Sequence, residues 1–268
     1  MGRPKHFMTT FAIIAISAVL LAGCSSDDDA EANAAEPASS SPGSAPASSP
    51  APQTSAPAPY VQPDACKSLG LASDAKLGGK ELAACVSAAF AAYGTGTESL
   101  LVGNRSGTTR FRIGSGTALA GEVDGADGKT GTNAYVSLDG EEWIKSDGAW
   151  EKSDSKEAVD AELGKKYRTV SDPAGIAEIL GSFATWKVDT EKALISLENG
   201  KDVQAWRVTN ALHFDHQGSE VVEYIVWLED DGTPVGVQNT SETAGQSDTY
   251  VQHFYDLGQP VTIEAPPQ

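Results

Sequence analysis

The sequence predicts an α+β domain in which a half-open antiparallel β-barrel of about ten strands encloses helices. Three features carry that expectation: an early amphipathic helix, alternating strand segments with tight-turn signals on both sides of a helical interlude, and a low-complexity N-terminal stretch that leaves one core-forming segment behind it.

The helix comes first. Gly78-Gly79 precede Leu82, Cys85, Val86, Ala89, Phe90 and Tyr93, which recur at three- and four-residue spacing, and Gly94 supplies a stop. The opposite face, Ala84, Ser87, Ala88, Ala91 and Ala92, has no charge, which predicts a helix enclosed on more than one side. From Glu98 the period becomes two. Thr109, Phe111 and Ile113 alternate with Arg110 and Arg112, Leu119 and Val123 fall in a second such run, and 133–138 and 141–145 flank the hairpin signal Asp139-Gly140. A charged segment, 155–166, has little apolar face. Asp172-Pro173 then gives an N-cap followed by proline at the first helical position, with Ile176, Ile179 and Leu180 as the apolar stripe. Strands return at 193–197, 203–209, 221–228, 235–241 and 249–255. In 221–228 the alternation sets Val222, Tyr224, Val226 and Leu228 on one face and Val221, Ile225 and Trp227 on the other.

A sheet of about ten strands curls, and helices held against one face give it an apolar interior that is either filled by side chains or occupied by a ligand. Strand and helix phase point Phe90, Leu100, Val102, Phe111, Ile113, Leu119, Tyr135, Ile179, Phe183, Tyr224 and Val226 toward that interior, as ordinary core or as cavity lining.

Ahead of this domain the composition is of another kind. Arg3, Lys5 and His6 form a basic start, residues 11–21 an apolar run short of the roughly 20 residues that span a bilayer, and Leu21-Ala22-Gly23-Cys24 follows. That tetrapeptide resembles the bacterial lipobox. It implies that 1–23 is a cleaved signal peptide and that Cys24 becomes the first mature residue, carrying diacylglycerol on its sulfur and an acyl chain such as palmitate on its amine. The rest of 24–63 is Ala, Ser and Pro with a few acids, a disordered tether with a reach of roughly 35 Å, and 64–268 is the folded domain.

Lys+Arg number 19 against 37 Asp+Glu, a net charge of −18, which argues against a nucleic-acid partner. Loss of Arg3 and Lys5 with the signal makes the mature chain more acidic still. Such a chain is repelled by anionic lipid, so its expected place on the extracytoplasmic face of the cell membrane depends on the acyl chains of Cys24. Cys66 and Cys85 remain as an even pair in an exported chain and predict a disulfide closing a loop of about 20 residues, with no C-x-x-C to suggest redox or metal use.

The chemistry-bearing motifs are missing: G-x-S-x-G, H-E-x-x-H, the P-loop and the dinucleotide glycine pattern do not occur, so no enzyme, cofactor or metal site is expected. His213, Asp215 and His216, with His253 elsewhere, are expected in a solvated loop between strands. Trp206 and Trp227 lie within strands and are expected in the core, whereas Trp143 and Trp150, around the Asp147-Gly148 turn, are the candidates for an exposed aromatic rim.

The segments ELAACVSAAFAAYG, YVSLDGEEWIK, DPAGIAEILGSF, YIVWLEDDGTPVGVQ and HFYDLGQPVTIEAPP, in that order after a tether, resemble the LppX/LprG-type lipoproteins of actinobacteria, which have a LolA/LolB-like fold. The resemblance covers nearly all of 75–265. It implies a hydrophobic cavity that carries acyl chains of lipids or glycolipids from the membrane to the cell envelope. The alternative is a cell-surface interaction or sensor module of the same fold with a filled core.

Overall fold

The structure, a computed structural model, describes residues 59–267 except 104, 115, 125–132, 147, 153–170, 211–212, 217–218 and 244–245. The chain divides into Met1–Ala51 and Pro52–Gln268, and the second unit holds every described residue. The signal peptide, Cys24, the tether up to residue 58 and the charged segment 155–166 lie outside the described residues.

In chain order the elements are α1 (Asp64–Lys67), β1 (Lys76–Gly78), α2 (Gly79–Tyr93), β2 (Thr95–Val102), β3 (Arg105–Arg112), β4 (Ala118–Val123), β5 (Asn133–Leu138), β6 (Glu141–Ser146) and β7 (Ala149–Lys152). Then follow α3 (Pro173–Gly181), β8 (Thr185–Ser196), β9 (Asp202–Asn210), β10 (Phe214–His216), β11 (Ser219–Leu228), β12 (Pro234–Thr243) and β13 (Gln246–Tyr255). Among the described residues, 13 strands form one sheet in the order β1-β8-β9-β11-β12-β13-β2-β3-β4-β5-β6-β7, with β10 beside β11 and β1 and β7 as its ends. Neighbouring strands are antiparallel; in the centre β2 pairs with β3 and with β13.

The count exceeds the expected ten because β1, β7 and β10 are too short to show an alternating pattern. Residues 214–216, expected in a loop, pair with β11 instead. β8 begins at Thr185 rather than 193: Trp186 and Val188 are buried, and a register irregularity between Val188 and Lys192 breaks the alternation. A second irregularity, between Val221 and Glu223, moves Val221 to the face of Tyr224 and Val226, against the expected phase.

α2 buries Leu82, Cys85, Val86, Ala89 and Phe90, the face its spacing predicts. It ends at Gly94, which has φ 71° and donates to the Phe90 carbonyl at 2.9 Å. Its other face corrects the expectation of enclosure, since Ala84, Ser87, Ala91 and Ala92 are exposed. Small side chains present little apolar area, so exposing them costs little. α3 is capped by Asp172, whose Oδ1 accepts from the Ala174 amide at 2.9 Å. The two helices meet at Gly79, where a Cβ would fall 1.8 Å from the Phe183 carbonyl oxygen; only glycine allows that approach.

The curl of the sheet follows from its ties. β5 and β8 are eight strands apart along the path, roughly 38 Å if flat. Yet Ser171, just ahead of α3, receives a hydrogen bond from Tyr135 of β5, while the Leu180 carbonyl near the other end of α3 accepts from Trp186 of β8 at 2.9 Å. A helix of 9 residues rises only about 14 Å, so the sheet is bent round it. Side chains from β3, β4, β5, β8, β9, β11, β12 and β13 thereby join α2 and α3 in one apolar cluster on the inner face.

Two smaller clusters lie on the outer face. Leu197, Ala205, Ile225, Trp227 and Val235 form one, and Ala118, Val136, Trp143 and Ile263 the other. Trp143 is therefore core rather than rim, being 5% exposed. The C-terminal Val261 and Ile263 cover that part of the sheet.

The N-terminal segment is fastened at the end of the sheet that carries the β11–β12 turn, called here the proximal end. Cys66 and Cys85 are joined in a disulfide, the expected pairing. Tyr60 stacks on Tyr93 with ring centroids 4.1 Å apart, and Gln62 donates to the Asp231 carbonyl at 2.9 Å. Replacing both cysteines by serine is expected to lower unfolding stability by about 3 kcal/mol, seen as a lower urea midpoint by tryptophan fluorescence. An unchanged midpoint would assign the fastening to the ring stack and hydrogen bonds alone.

Candidate functional site

The inner face divides along the strands into two unlike halves. Toward the proximal end Phe90, Phe111 and Phe254 meet edge to face, with centroids 5.0 to 6.5 Å apart. Leu119 and Val226 are fully buried in the same cluster, and Ile113 packs against it partly buried. At the opposite, distal side Phe183 packs on Trp186 and Phe214 at 5.8 and 4.6 Å, and Trp186 on Tyr224 at 6.0 Å. Ile179 is partly buried there, and Leu100 is 8% exposed. The structure thus brings Phe90, Phe111, Leu119, Tyr135, Tyr224 and Val226 together in the inner cluster; Leu100 is buried beside Gln252; the Val102 side chain lies outside the described residues.

Between these groups runs a buried polar row that the sequence reading did not single out. Glu98 on β2 is 0% exposed; its Oε1 accepts from Gln252 Nε2 at 2.7 Å, and its Oε2 has no hydrogen-bond partner among the described residues. On β12 Asn239, 3% exposed, donates to the Tyr250 hydroxyl at 2.8 Å, while its Oδ1 has no partner among the described residues. A third group closes the row: the Tyr135 hydroxyl lies 2.6 Å from Thr109 Oγ1 and donates to Ser171 Oγ at 2.7 Å. Gly121 makes room for that ring, because a Cβ there would stand 2.7 Å from it. Strand phase was the available signal. Glu98 shares the parity of Leu100, Gln252 that of Phe254, and Asn239 that of Val237, so alternation alone sets all three on the inner face.

Electrostatics follow from burial. Loss of water around Glu98 pushes its carboxyl up to about 8; the Gln252 amide opposes the rise and the charge of Asp172, at the α3 cap, adds to it. The carboxyl is therefore mostly protonated at neutral pH. Burial likewise raises the Tyr224 and Tyr250 hydroxyls above their ordinary range.

The outer face carries open clefts. One of about 390 Å³ is bordered by Arg110, Glu122, Trp150 and Tyr255, and another of about 430 Å³ by Ser99, Leu101, Asp124 and Glu198. His213 Nδ1 lies 3.1 Å from Glu220 Oε1 on the surface, and among the described residues no three His, Cys, Asp or Glu side chains are grouped to hold a metal. No helix among them is long and apolar enough to cross a membrane.

Fold and site together define a class: an open, curled antiparallel sheet whose inner face is covered by two helices and interrupted by buried polar groups. No protein-family model and no curated protein matches the chain. Among solved structures it is similar to LprF from Mycobacterium bovis, with 12% identity and a TM-score of 0.44 over 71% of this chain and 97% of that one. It is also similar to the lipoprotein LppX from Mycobacterium tuberculosis, with 10% identity and a TM-score of 0.43 over 68% and 98%. A DUF1329 family protein from Desulfovibrio piger aligns with 12% identity and a TM-score of 0.27 over 66% and 90%. LprF and LppX are lipoproteins of the LppX/LprG type that the sequence resembles.

Because the folded chain holds the Glu98 proton more tightly than the unfolded chain, this group contributes stability that is complete below pH 4.5 and lost as pH rises to about 8. The loss is roughly 1 kcal/mol per pH unit within that window. Glu98→Gln removes the titration, so its melting temperature relative to the unsubstituted protein is expected to climb between pH 4.5 and 8.5. A difference independent of pH across that range would contradict the assignment.

Proposed function

We propose that the protein is a membrane-anchored extracytoplasmic lipoprotein that shelters acyl chains of a lipid or glycolipid on its inner face and carries them toward the cell envelope. The observation that carries this reading is that two of the buried polar atoms without a partner among the described residues, Glu98 Oε2 and Asn239 Oδ1, lie on the apolar inner face. A sealed core leaves few such atoms, because each costs about 1–3 kcal/mol, and an amphiphilic ligand would satisfy them while its tails covered apolar surface at about 0.8 kcal/mol per methylene. The lipobox cysteine Cys24 supports the membrane anchor, and the absence of nucleophile, metal and cofactor motifs in the sequence favours carriage over catalysis.

The second reading, a surface interaction or sensor module with a filled interior, draws support from the close-packed Phe90, Phe111 and Phe254. One experiment separates the two. The mature chain from Ser25, exported behind a cleavable leader in a lipid-rich bacterial host, is expected to appear in native mass spectra with bound acyl lipid. Leu100→Trp, which adds bulk next to the polar row, is expected to lower that loading severalfold. Protein found only at its bare mass, and taking up no added acyl ligand, would defeat the carrier and leave the filled module.

A further inference from the structure

We propose that Glu98 is the polar anchor of this interior and selects an uncharged acyl lipid, held through an ester carbonyl, over a fatty-acid carboxylate. The proposal rests on the acyl-binding reading above and names the group that decides which ligand is taken.

The geometry assigns the two carboxyl oxygens different tasks. Oε1 is engaged by the Gln252 amide at 2.7 Å, so the acid proton belongs on Oε2, which is buried and meets no acceptor among the described residues. That makes Oε2–H a donor in need of a partner. Asn239 adds an acceptor: its amide nitrogen donates to the Tyr250 hydroxyl, and its buried Oδ1 has no donor among the described residues. A buried donor of this kind fits an ester carbonyl, while Asn239, two strands away and four residues along β13 by register, is a separate acceptor on the same face. A carboxylate could accept from the same donor only by carrying its charge into the interior, so a fatty acid must first take up a proton, which an ester need not do.

Charge reinforces the selection. Thr109 of β3 and Phe254 of β13 are the cross-strand neighbours of Glu98, and neither carries charge. Asp172 at the start of α3 acts on Glu98 with the same sign, and Tyr250 of β13 senses the Glu98 charge in turn. Arg110 and Arg112 on β3 alternate with buried Thr109 and Phe111 and are exposed. Among these described residues, a ligand carboxylate brought into this interior would thus meet acids and no facing cation, and would have to take up a proton as Glu98 does. The Glu98 carboxyl stays neutral until pH approaches about 8, and the neighbouring tyrosines titrate higher, so Glu98 is the inner group whose ionisation would disturb an ester-bound lipid in mildly alkaline solution.

The test uses the exported mature chain stripped of lipid, a pyrene-labelled fatty-acid methyl ester and the matching free acid, with folding checked by near-ultraviolet circular dichroism. At pH 6.5 the ester is expected to bind more tightly than the acid. Between pH 6.5 and 9.5 ester affinity should fall about 30-fold as the protonated fraction falls, whereas in Glu98→Gln, neutral throughout, whatever ester affinity remains should be independent of pH over that range. An ester affinity that ignores pH in the unsubstituted protein, equal binding of ester and acid, or the same alkaline loss in Glu98→Gln would each overturn Glu98 as anchor while leaving the carrier intact. Failure of the folded protein to bind either probe at any pH would overturn both. The profile of the unsubstituted protein decides the matter even where the variant does not fold.

Discussion

The interior exists because a short helix ties together two strands that the sheet alone would hold far apart. α3 reaches from the Tyr135–Ser171 contact on β5 to the Leu180–Trp186 contact on β8, across the chord of an arc eight strands long. Both ties are hydrogen bonds buried in apolar surroundings, where breaking one strands two polar groups away from water. The bend, the inner cluster and the placement of the polar row all depend on that chord. α2 then lies in the trough with one face on the sheet and small residues toward solvent, so it fills the concavity without closing it.

Within this trough the chain makes two different interiors from one sheet. The three phenylalanines near the proximal end pack as an ordinary core. Toward the middle and distal side, carboxyl, amide and hydroxyl groups replace methyl and ring carbons at inward positions, and α3 presents its N-terminal cap to them. Burying Glu98 without a cation is tolerable because the group neutralises instead of staying charged. A core selected for stability alone would hold a leucine there.

Much of the architecture was legible in the sequence. The spacing of Leu82, Cys85, Val86, Ala89 and Phe90 marked the buried face of α2, Asp172-Pro173 marked the start of α3, and Asp139-Gly140 marked the β5–β6 hairpin, because each of these signals is local. Irregularities were not: the shifts near Val221 and in β8 depend on partner strands, and no local pattern announces an extra residue. The polar row was missed for another reason. Alternation did place Glu98, Asn239 and Gln252 inward, but a charged or amide side chain in a strand is ordinarily assigned to solvent, and hydropathy outweighed phase. Trp143 failed in the same way, since a turn-flanking aromatic looks exposed until the C-terminal Ile263 is found covering it.

The fastening of the N-terminal segment also fixes how the domain bears load. Tension applied ahead of Cys66 passes through a covalent bond to Cys85 in the middle of α2, and through the Tyr60–Tyr93 stack to the end of the same helix. It bypasses the stretch between the two cysteines, where β1, an edge strand of 3 residues on β8, would otherwise be the first element peeled away. Hydrogen bonds of an edge strand pulled from one end fail one at a time, whereas dislodging a buried helix requires its whole apolar face to leave together. The disulfide therefore converts an unzipping geometry into a shearing one, and a pull on this end of the chain is resisted by the longest helix among the described residues.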